Sequence, residues 1–180
     1  GFLSNSDRSC TPPYGRVRVF FGASCKSTPN MYHFFVRRRI REIFRHLNDG
    51  DLPFVVRQFA PDAEHWFSGR HALGGRRTRP EEIAAWYERL AIVFPDIHFE
   101  IRSLVVAGPP WNTRVIVEWV DSFPRTKLAE NQGVFVITLR WGRATCFHVY
   151  CDTDGLKQNL ALLSARGVTA ASHDAIGSLS

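Results

Sequence analysis

The sequence predicts a single α+β domain in which a strongly curved, mostly antiparallel sheet wraps around N-terminal helices. Helical patterns, with apolar residues every three or four positions, dominate residues 31–94, and four long strand patterns follow between residues 97 and 151. The chain has 180 residues, which is enough for one domain with a sizeable core, and it contains no internal repeat or linker.

The first predicted helix begins near Met31, shortly after Thr28-Pro29, which has the pattern of an N-cap followed by proline at the first helical position. Asn48-Asp49-Gly50 ends this helix. A short second helix is expected over residues 52–59 and a short strand over residues 63–67. The apolar stripe of the first helix consists of Val36, Ile40, Ile43 or Phe44, and Leu47.

The third predicted helix opens with a capping box formed by Thr78 and Glu81, and Pro95 ends it. A loop rich in Gly and Arg, residues 68–77, precedes it, and we expect the loop's charges to be solvated. This loop lacks the GxGxxG pattern, so no phosphate-binding loop is predicted. The helix's apolar stripe consists of Ile83, Trp86 or Tyr87, Leu90 and Phe94.

The strand patterns differ in how many faces are apolar. Residues 97–107 alternate between apolar and polar at first, which predicts one buried and one wet face. Residues 114–123 and 134–141 are apolar on both faces. Gly142-Arg143 makes a tight turn into a last strand over residues 144–151.

A final helix, capped by Asp154 and ended by Gly167, completes the predicted domain. The domain therefore spans residues 31–167, and a C-terminal tail at 168–180 is expected to be frayed. Residues 1–30 lack sustained periodicity, so we interpret them as an N-terminal extension outside the core.

Strands that are apolar on both faces need a cover on each side of an antiparallel sheet. The three preceding helices can cover one side only. We therefore expect the other side to bury against a second copy of the chain, which gives an isologous homodimer.

The distribution of charge argues against nucleic acid as a partner. Of the net charge of +6, the excess lies in residues 1–50, which hold nine Lys or Arg and three Asp or Glu, whereas the remaining 130 residues hold fourteen of each. The body is neutral and carries no nucleic-acid recognition motif. No apolar run approaches the ~18–20 residues that cross a bilayer, so no membrane partner is predicted either.

The cysteines predict a reduced, cytoplasmic chain. Cys10, Cys25, Cys146 and Cys151 include no CxxC pair. Cys146 and Cys151 lie five residues apart on one predicted strand, so their side chains point to opposite faces and cannot easily pair.

Several segments together resemble one known family. They are WYERLAIVFPDIHFEI at 86–101, LRWGR at 139–143, HVYCDTDGL at 148–156 and the strand pair around Trp119. In this order, they resemble the SnoaL-like branch of the NTF2-like superfamily, over roughly residues 31–165. The resemblance implies a cone-shaped fold with an apolar pocket between sheet and helices. The superfamily includes polyketide cyclases, ketosteroid isomerases, dehydratases, epoxide hydrolases and many non-catalytic proteins, so fold leaves the chemistry open.

The catalytic residues of these families do not map cleanly onto the chain. The Asp base of SnoaL-type cyclases falls at about Val149, and a slip of one residue would put His148 there. The Arg-x-Asp pattern of epoxide hydrolases does not occur in the sequence. The ketosteroid-isomerase and dehydratase constellations find no residue-by-residue match.

Asp121 and His148 are the candidate catalytic residues. Asp121 shares a strand face with Trp119, and a carboxylate at the mouth of an apolar pocket would have a raised pKa suited to acid–base work. The alternative is a solvated carboxylate at a strand end. His148 lies on the face of Tyr150, where an imidazole could be held in one tautomer. The alternative is a histidine in a dimer interface or in the core.

Four aromatic residues with polar tips are the candidate ligand-binding residues, and we expect about half of them to reach the pocket. No metal or cofactor is predicted, because His65 and His71, with Glu64 nearby, match no metal-binding spacing and lack a further ligand. The aromatic candidates are Trp66, Tyr87, Trp119 and Tyr150.

Two functions remain open at this point. The first is a cofactor-independent enzyme of the cyclase, isomerase or dehydratase kind that transfers protons on a small apolar organic ligand through Asp121 or His148. The second is a non-catalytic ligand-binding or dimerisation module of the same fold. A buried acid beside a well-formed cavity would favour the enzyme.

Overall fold

The structure, a computed structural model, describes residues 31–178, and the predicted N-terminal extension lies outside the described residues. Within this range, four α-helices and five strands follow the predicted order, and a sixth strand is additional. The elements are α1 (Met31–Asn48), α2 (Leu52–Val56), β1 (Phe59–Phe67), β2 (Gly75–Arg77), α3 (Pro80–Val93), β3 (His98–Ala107), β4 (Thr113–Ser122), β5 (Asn131–Arg140), β6 (Arg143–Cys151) and α4 (Thr153–Ala165).

The six strands form one sheet in the order β2-β1-β6-β5-β4-β3. All neighbours are antiparallel except β1 and β6, which run parallel. The pairing shifts register between Ile101 and Ser103 in β3 and between Thr138 and Leu139 in β5. Such irregularities bend strands and increase their twist, so the sheet curves around the helices. The predicted α+β fold is confirmed.

Strand β4 has one buried face and one outer face on which apolar and charged side chains are mixed. Its inward side chains, which include Val115, Val117 and Trp119, are buried, whereas Arg114 and Glu118 on the opposite face are exposed. Successive side chains of a strand point to opposite faces, so this burial pattern reflects strict alternation. The outer face also carries Ile116, which is 43% exposed, and Val120, so apolar residues lie on both faces of β4, but only the inner face is buried within the chain.

Helix α1 covers the edge of the sheet at β3. Its predicted apolar stripe is confirmed, because Val36, Ile40 and Phe44 are buried. At the end of the helix, the Asn48 side chain accepts a hydrogen bond from the Phe99 backbone N at 2.8 Å and donates one to the Phe99 backbone O at 3.0 Å. The Asn48 amide therefore pairs with the free edge of β3 as one residue of a neighbouring strand would.

Two helix caps lie one or two residues from the predicted positions. Helix α3 begins at Pro80, so the acid that closes its first turn is Glu82, whose Oε1 lies 2.7 Å from Nη2 of Arg79. Helix α4 begins at Thr153, and Asp152 caps it by accepting from two backbone amides. The predictions of Glu81 and Asp154 as cap residues are therefore wrong, because each helix starts at a different residue than the capping pattern predicted.

The Gly/Arg-rich loop contains strand β2, which the sequence did not predict. Arg77 is fully buried there, and its guanidinium donates to the carbonyls of Leu73, Gly74 and Gly75. Burial lowers the pKa of Arg77 to about 10. The prediction of a solvated charge is therefore wrong at Arg77.

The C-terminal residues also pack on this part of the body. The backbones of Ser178 and Arg76 exchange two hydrogen bonds of 2.8 and 2.9 Å, and Ala171 is buried. The segment after α4 is thus part of the packed structure up to Ser178, where the sequence predicted fraying.

The turn between β5 and β6 places a large side chain in an unusual backbone conformation. Trp141 has φ = 51° and Gly142 has φ = 81°, the pattern of a two-residue hairpin turn that favours Asn-Gly. A positive φ at a bulky residue is uncommon and strained. The Trp141 side chain is also 69% exposed, so core packing does not offset this strain.

Candidate functional site

Two adjoining cavities lie between the helices and the concave face of the sheet. The larger one, which we name the apolar chamber, has a volume of about 220 Å³ and is bounded by α1 and by the inner faces of β5 and β6. Aromatic side chains form much of its wall, and Arg39 is its charged lining residue. The aromatic lining residues are Phe35, Phe44, Phe59, Tyr87, Phe135 and Phe147.

The second cavity, which we name the acid chamber, has a volume of about 40 Å³ and contains Asp121 in its wall. Its other walls come mainly from α3 and from the inner faces of β4, β5 and β6. Leu47, Tyr87, Phe135 and Phe147 line both chambers, so these four side chains form the boundary between them. A ligand in the apolar chamber therefore lies next to the acid chamber.

Asp121 is a buried acid near the end of β4, with 6% of its surface exposed. Its Oδ1 accepts a hydrogen bond from the Asn131 backbone N at 2.7 Å, on the paired strand β5. Burial raises the pKa of Asp121 to about 6, the hydrogen bond from Asn131 opposes this rise, and the negative charge of Glu130 adds to it. A carboxyl group with this pKa exchanges protons readily near neutral pH.

Trp119 stands two residues before Asp121, on the same face of β4 and in the same chamber wall. Its ring meets Phe99 edge-on, with 5.2 Å between centroids. Gly133 faces Trp119 across the strand pair, and a Cβ added at Gly133 would lie 2.6 Å from Cζ2 of the indole. The absence of a side chain at Gly133 is therefore what lets the indole lie over β5.

Cys151 also lines the acid chamber and has a free thiol. Burial and the neighbouring charge of Asp121 raise the pKa of this thiol to about 12, so it stays protonated. Cys146, on the other face of β6, is disulfide-bonded. The prediction of a fully reduced chain is therefore wrong. The cytoplasmic location was inferred from reduced cysteines, so this disulfide removes the support for it.

His148, the second catalytic candidate, lies on the opposite face of the sheet from Asp121. Its neighbours Phe147 and Val149 line the chambers, but His148 does not. Its Nε2 lies 2.9 Å from Oε1 of Glu64, and Oε2 of the same carboxylate lies 2.9 Å from Nη1 of Arg76. The structure therefore does not bring Asp121 and His148 into one site.

The four aromatic candidates divide between the two faces in the same way. Tyr87 lines both chambers and Trp119 lines the acid chamber. Trp66 and Tyr150 contact each other on the outer face, with ring centroids 5.1 Å apart, and Trp66 also meets His148 at 5.6 Å. Two of the four aromatic candidates, Tyr87 and Trp119, therefore line the chambers.

The sequence did not single out Phe135 and Phe147, although both line the two chambers. Each occupies an inward position of a predicted strand, so alternation along the strand was the signal available. Their rings lie 5.0 Å apart across the β5–β6 pair. They separate the apolar chamber from the acid chamber.

The histidines considered as metal ligands have other surroundings. His65 is fully buried against Phe147 and Trp86, and burial lowers its pKa well below 6.5. His71 has Nε2 2.8 Å from the Ser68 backbone O. Across residues 31–178, no three His, Cys, Asp or Glu side chains are grouped as a metal site would need. No helix in the same range is long and apolar enough to cross a membrane.

A curved sheet closed by N-terminal helices over an internal cavity defines an NTF2-like protein, and solved structures share this fold. PrhC from Penicillium brasilianum superposes with a TM-score of 0.61 at 10% identity, covering 76% of this chain and 92% of that one. A loop-truncation variant of IdmH gives 0.56 at 20% identity, covering 69% and 98%. An NTF2-like protein of unknown function from Burkholderia pseudomallei gives 0.56 at 20% identity, covering 68% and 95%.

The sequence assigns the chain to a family within this class. The SnoaL-like domain matches residues 40–147, which is more than half of the chain. The protein therefore belongs to the SnoaL-like domain family, as the sequence segments suggested. No curated protein matches the chain significantly.

Proposed function

We propose that the protein is a cofactor-independent enzyme that transfers protons on a small, mostly apolar organic ligand, with Asp121 as the acid–base residue. The observation that carries this proposal is the position of Asp121. It is a buried carboxyl group with a pKa of about 6, in the wall of a cavity that adjoins a larger apolar one. Catalytic acids and bases are commonly tuned towards neutrality by such burial.

The chemistry follows from the two protonation states of Asp121. As a carboxylate, it takes a proton from the carbon next to a ligand carbonyl, and the electron pair of the broken C–H bond moves into an enolate. In isomerisation, the resulting carboxylic acid returns the proton to a conjugated carbon. In ring closure, the enolate carbon forms a bond to a second carbonyl carbon of the ligand, the electron pair of that C=O bond moves to its oxygen, and the carboxylic acid gives its proton to this oxygen. Neither outcome requires an external electron acceptor or donor.

The test uses 2-tetralone, a flat ketone with acidic protons beside its carbonyl group. In deuterated buffer, the wild-type protein should speed the loss of these proton signals in NMR spectra. Asp121→Asn should lower the protein-dependent rate by about 10²–10⁴-fold, because general acid–base catalysis contributes about that much. Glu118→Gln removes a carboxylate from the exposed face of the same strand and is the matched control.

Two results would overturn this proposal. One is exchange at the buffer rate in the presence of wild-type protein. The other is exchange that survives Asp121→Asn but is lost in His148→Ala, which would move the site to the outer face of the sheet.

The alternative function is a non-catalytic ligand-binding module. It is favoured by the small size of the acid chamber, whose 40 Å³ is less than a fifth of the 220 Å³ of the apolar chamber. A ligand that fills the apolar chamber alone would not reach Asp121. In that case 2-tetralone would bind to the wild type and to Asp121→Asn with equal affinity, and neither would exchange its protons.

We also propose that the outer face of the sheet forms a homodimer. Val105 and Ile116, which are 50% and 43% exposed, face each other across β3 and β4, and Val136 continues the row on β5. Light scattering of the wild type should give a dimer, and Ile116→Arg should give a monomer. Leu162→Arg, at an exposed apolar residue of α4, is the control that should remain dimeric. A monomeric wild type at micromolar concentration would contradict the proposal.

A further inference from the structure

We propose that the indole N–H of Trp119 donates a hydrogen bond to the ligand's oxygen, and that the ligand is an uncharged, flat, cyclic ketone. Its carbonyl lies in the acid chamber and its hydrocarbon body in the apolar chamber. The reaction at this ketone rests on the proposed function, whereas the recognition of its oxygen by Trp119 does not.

The Trp119 Nε1 atom is a buried donor without an acceptor. The residue is 3% exposed, and Nε1 makes no hydrogen bond. Leaving such a donor unpaired in the interior costs about 1–3 kcal/mol, so buried tryptophans usually find a partner. Trp86, the other tryptophan in the wall of the acid chamber, follows this rule, since its Nε1 donates to the Leu73 backbone O at 2.8 Å.

The residue that carries the unpaired donor is a near neighbour of the acid along β4. Trp119 and Asp121 are residues i and i+2 on one face of β4, so their Cα atoms are ~6.5–7 Å apart along the strand. A ligand group held between them would have its carbonyl oxygen near the indole and its neighbouring carbon near the carboxylate. Donors aimed at the oxygen of an enolate stabilise the negative charge that forms there.

The position of the indole is fixed on both sides. Phe99 meets the ring edge-on, and Phe135 lies at 5.0 Å from it. Gly133 leaves the space that the ring fills over β5. A donor that packing already holds in place loses little side-chain freedom when it binds a ligand.

The walls of the apolar chamber select the rest of the ligand. Several aromatic rings line it, including Phe44, Phe59 and Phe147. Such walls favour a flat hydrocarbon body over a branched or polar one. Arg39 is the charged lining residue of this chamber, and it is already paired with Glu42 at 2.8 Å. The lining therefore offers no free charge for a ligand that carries one.

The experiment compares 2-naphthol, which resembles the enol of 2-tetralone, with naphthalene, which has the same ring system without the oxygen. Both affinities are measured by fluorescence titration. Because one neutral hydrogen bond is worth about 3- to 10-fold in affinity, the wild type should prefer 2-naphthol by about that factor. Trp119→Phe keeps an aromatic ring but removes the N–H, so its preference should fall to about one.

Trp86→Phe is the matched control, because it removes an indole N–H that already has a protein acceptor. It should lower both affinities together and leave their ratio unchanged. Thermal unfolding of each variant shows whether it is folded. If Trp119→Phe does not fold, NMR spectra of the wild type take its place: 2-naphthol, but not naphthalene, should move the indole N–H signal of Trp119 downfield, and a signal that does not move overturns the inference.

Equal affinity of the wild type for the two probes overturns the inference, as does a preference that persists in folded Trp119→Phe. These outcomes are separate from those of the proposed function. A preference for 2-naphthol that depends on Trp119, without exchange of 2-tetralone protons, would leave the inference standing and refute the enzyme. Exchange that depends on Asp121, together with a preference for 2-naphthol that does not depend on Trp119, would support the enzyme and refute the inference.

Discussion

Replacing Asp121 with asparagine should stabilise the folded protein at neutral pH. The buried carboxyl group has a pKa of about 6 in place of 3.8, because ionisation costs more in the protein interior than in water. Asparagine has nearly the same shape and carries no charge. Its side-chain oxygen can still accept the hydrogen bond that Asp121 accepts from the Asn131 backbone N.

The size of the effect follows from the two pKa values. A tenfold difference in acidity corresponds to about 1.4 kcal/mol, so the ionised Asp121 lowers the free energy of unfolding by about 3 kcal/mol. Between pH 4 and pH 6, the folded protein keeps a proton that the unfolded chain has lost. Wild-type stability should therefore fall as the pH rises through this window and level off above it. The difference between Asp121→Asn and wild type should grow over the same window.

Urea unfolding of both proteins at a series of pH values from about 4 to 8 measures this difference. Glu118→Gln, on the exposed face of the same strand, should give a pH dependence parallel to that of the wild type. An Asp121→Asn variant that is less stable than wild type at pH 8 would refute the reasoning. A stability difference that does not change with pH would also refute it, since burial of the charge would then not be its cause.

Three further predictions concern other parts of the fold. Asn159 is buried and exchanges two hydrogen bonds with the backbone of Ala129, at 2.8 and 3.2 Å, so Asn159→Leu should lower the free energy of unfolding by about 1–3 kcal/mol in urea titrations. Cys151, whose pKa is raised to about 12, should resist iodoacetamide at pH 8 in the folded protein and react in concentrated urea, as mass spectrometry would show; rapid labelling of the folded protein would contradict its burial. Trp141→Asn should raise the free energy of unfolding by about 1 kcal/mol, because asparagine tolerates a positive φ better; an unchanged midpoint in thermal unfolding would mean that the turn stores no strain.

The sequence placed Asp121 on one strand face with Val117 and Trp119, and it left open whether the carboxylate is buried at a pocket or solvated at the strand end. Alternation orders the side chains of a strand into two faces, but it does not say which face meets the helices. For β6, the face that meets the helices is set by the parallel pairing with β1 and by the register shift between Thr138 and Leu139 of β5. These are long-range contacts, so the outward positions of His148 and Tyr150 could not be read from the sequence.

Strand β2 was missed for a different physical reason. Its three residues, Gly75 to Arg77, carry no apolar pattern, and their strand conformation comes from pairing with β1. The burial of Arg77 depends on three carbonyl groups that the preceding loop folds around its guanidinium. Charged residues are seldom fully buried, so composition alone predicted the opposite.

The pairing of Asn48 with the edge of β3 bears on how the protein ages. Deamidation replaces the Asn48 side-chain nitrogen with oxygen, which turns a donor into an acceptor and sets a negative charge against the Phe99 carbonyl. The backbone of Phe99, at the edge of β3, would then lose the side-chain amide that pairs with it. An exposed strand edge is a template for another chain, so Asn48→Asp, which mimics the deamidated protein, should aggregate faster than the wild type in light-scattering measurements.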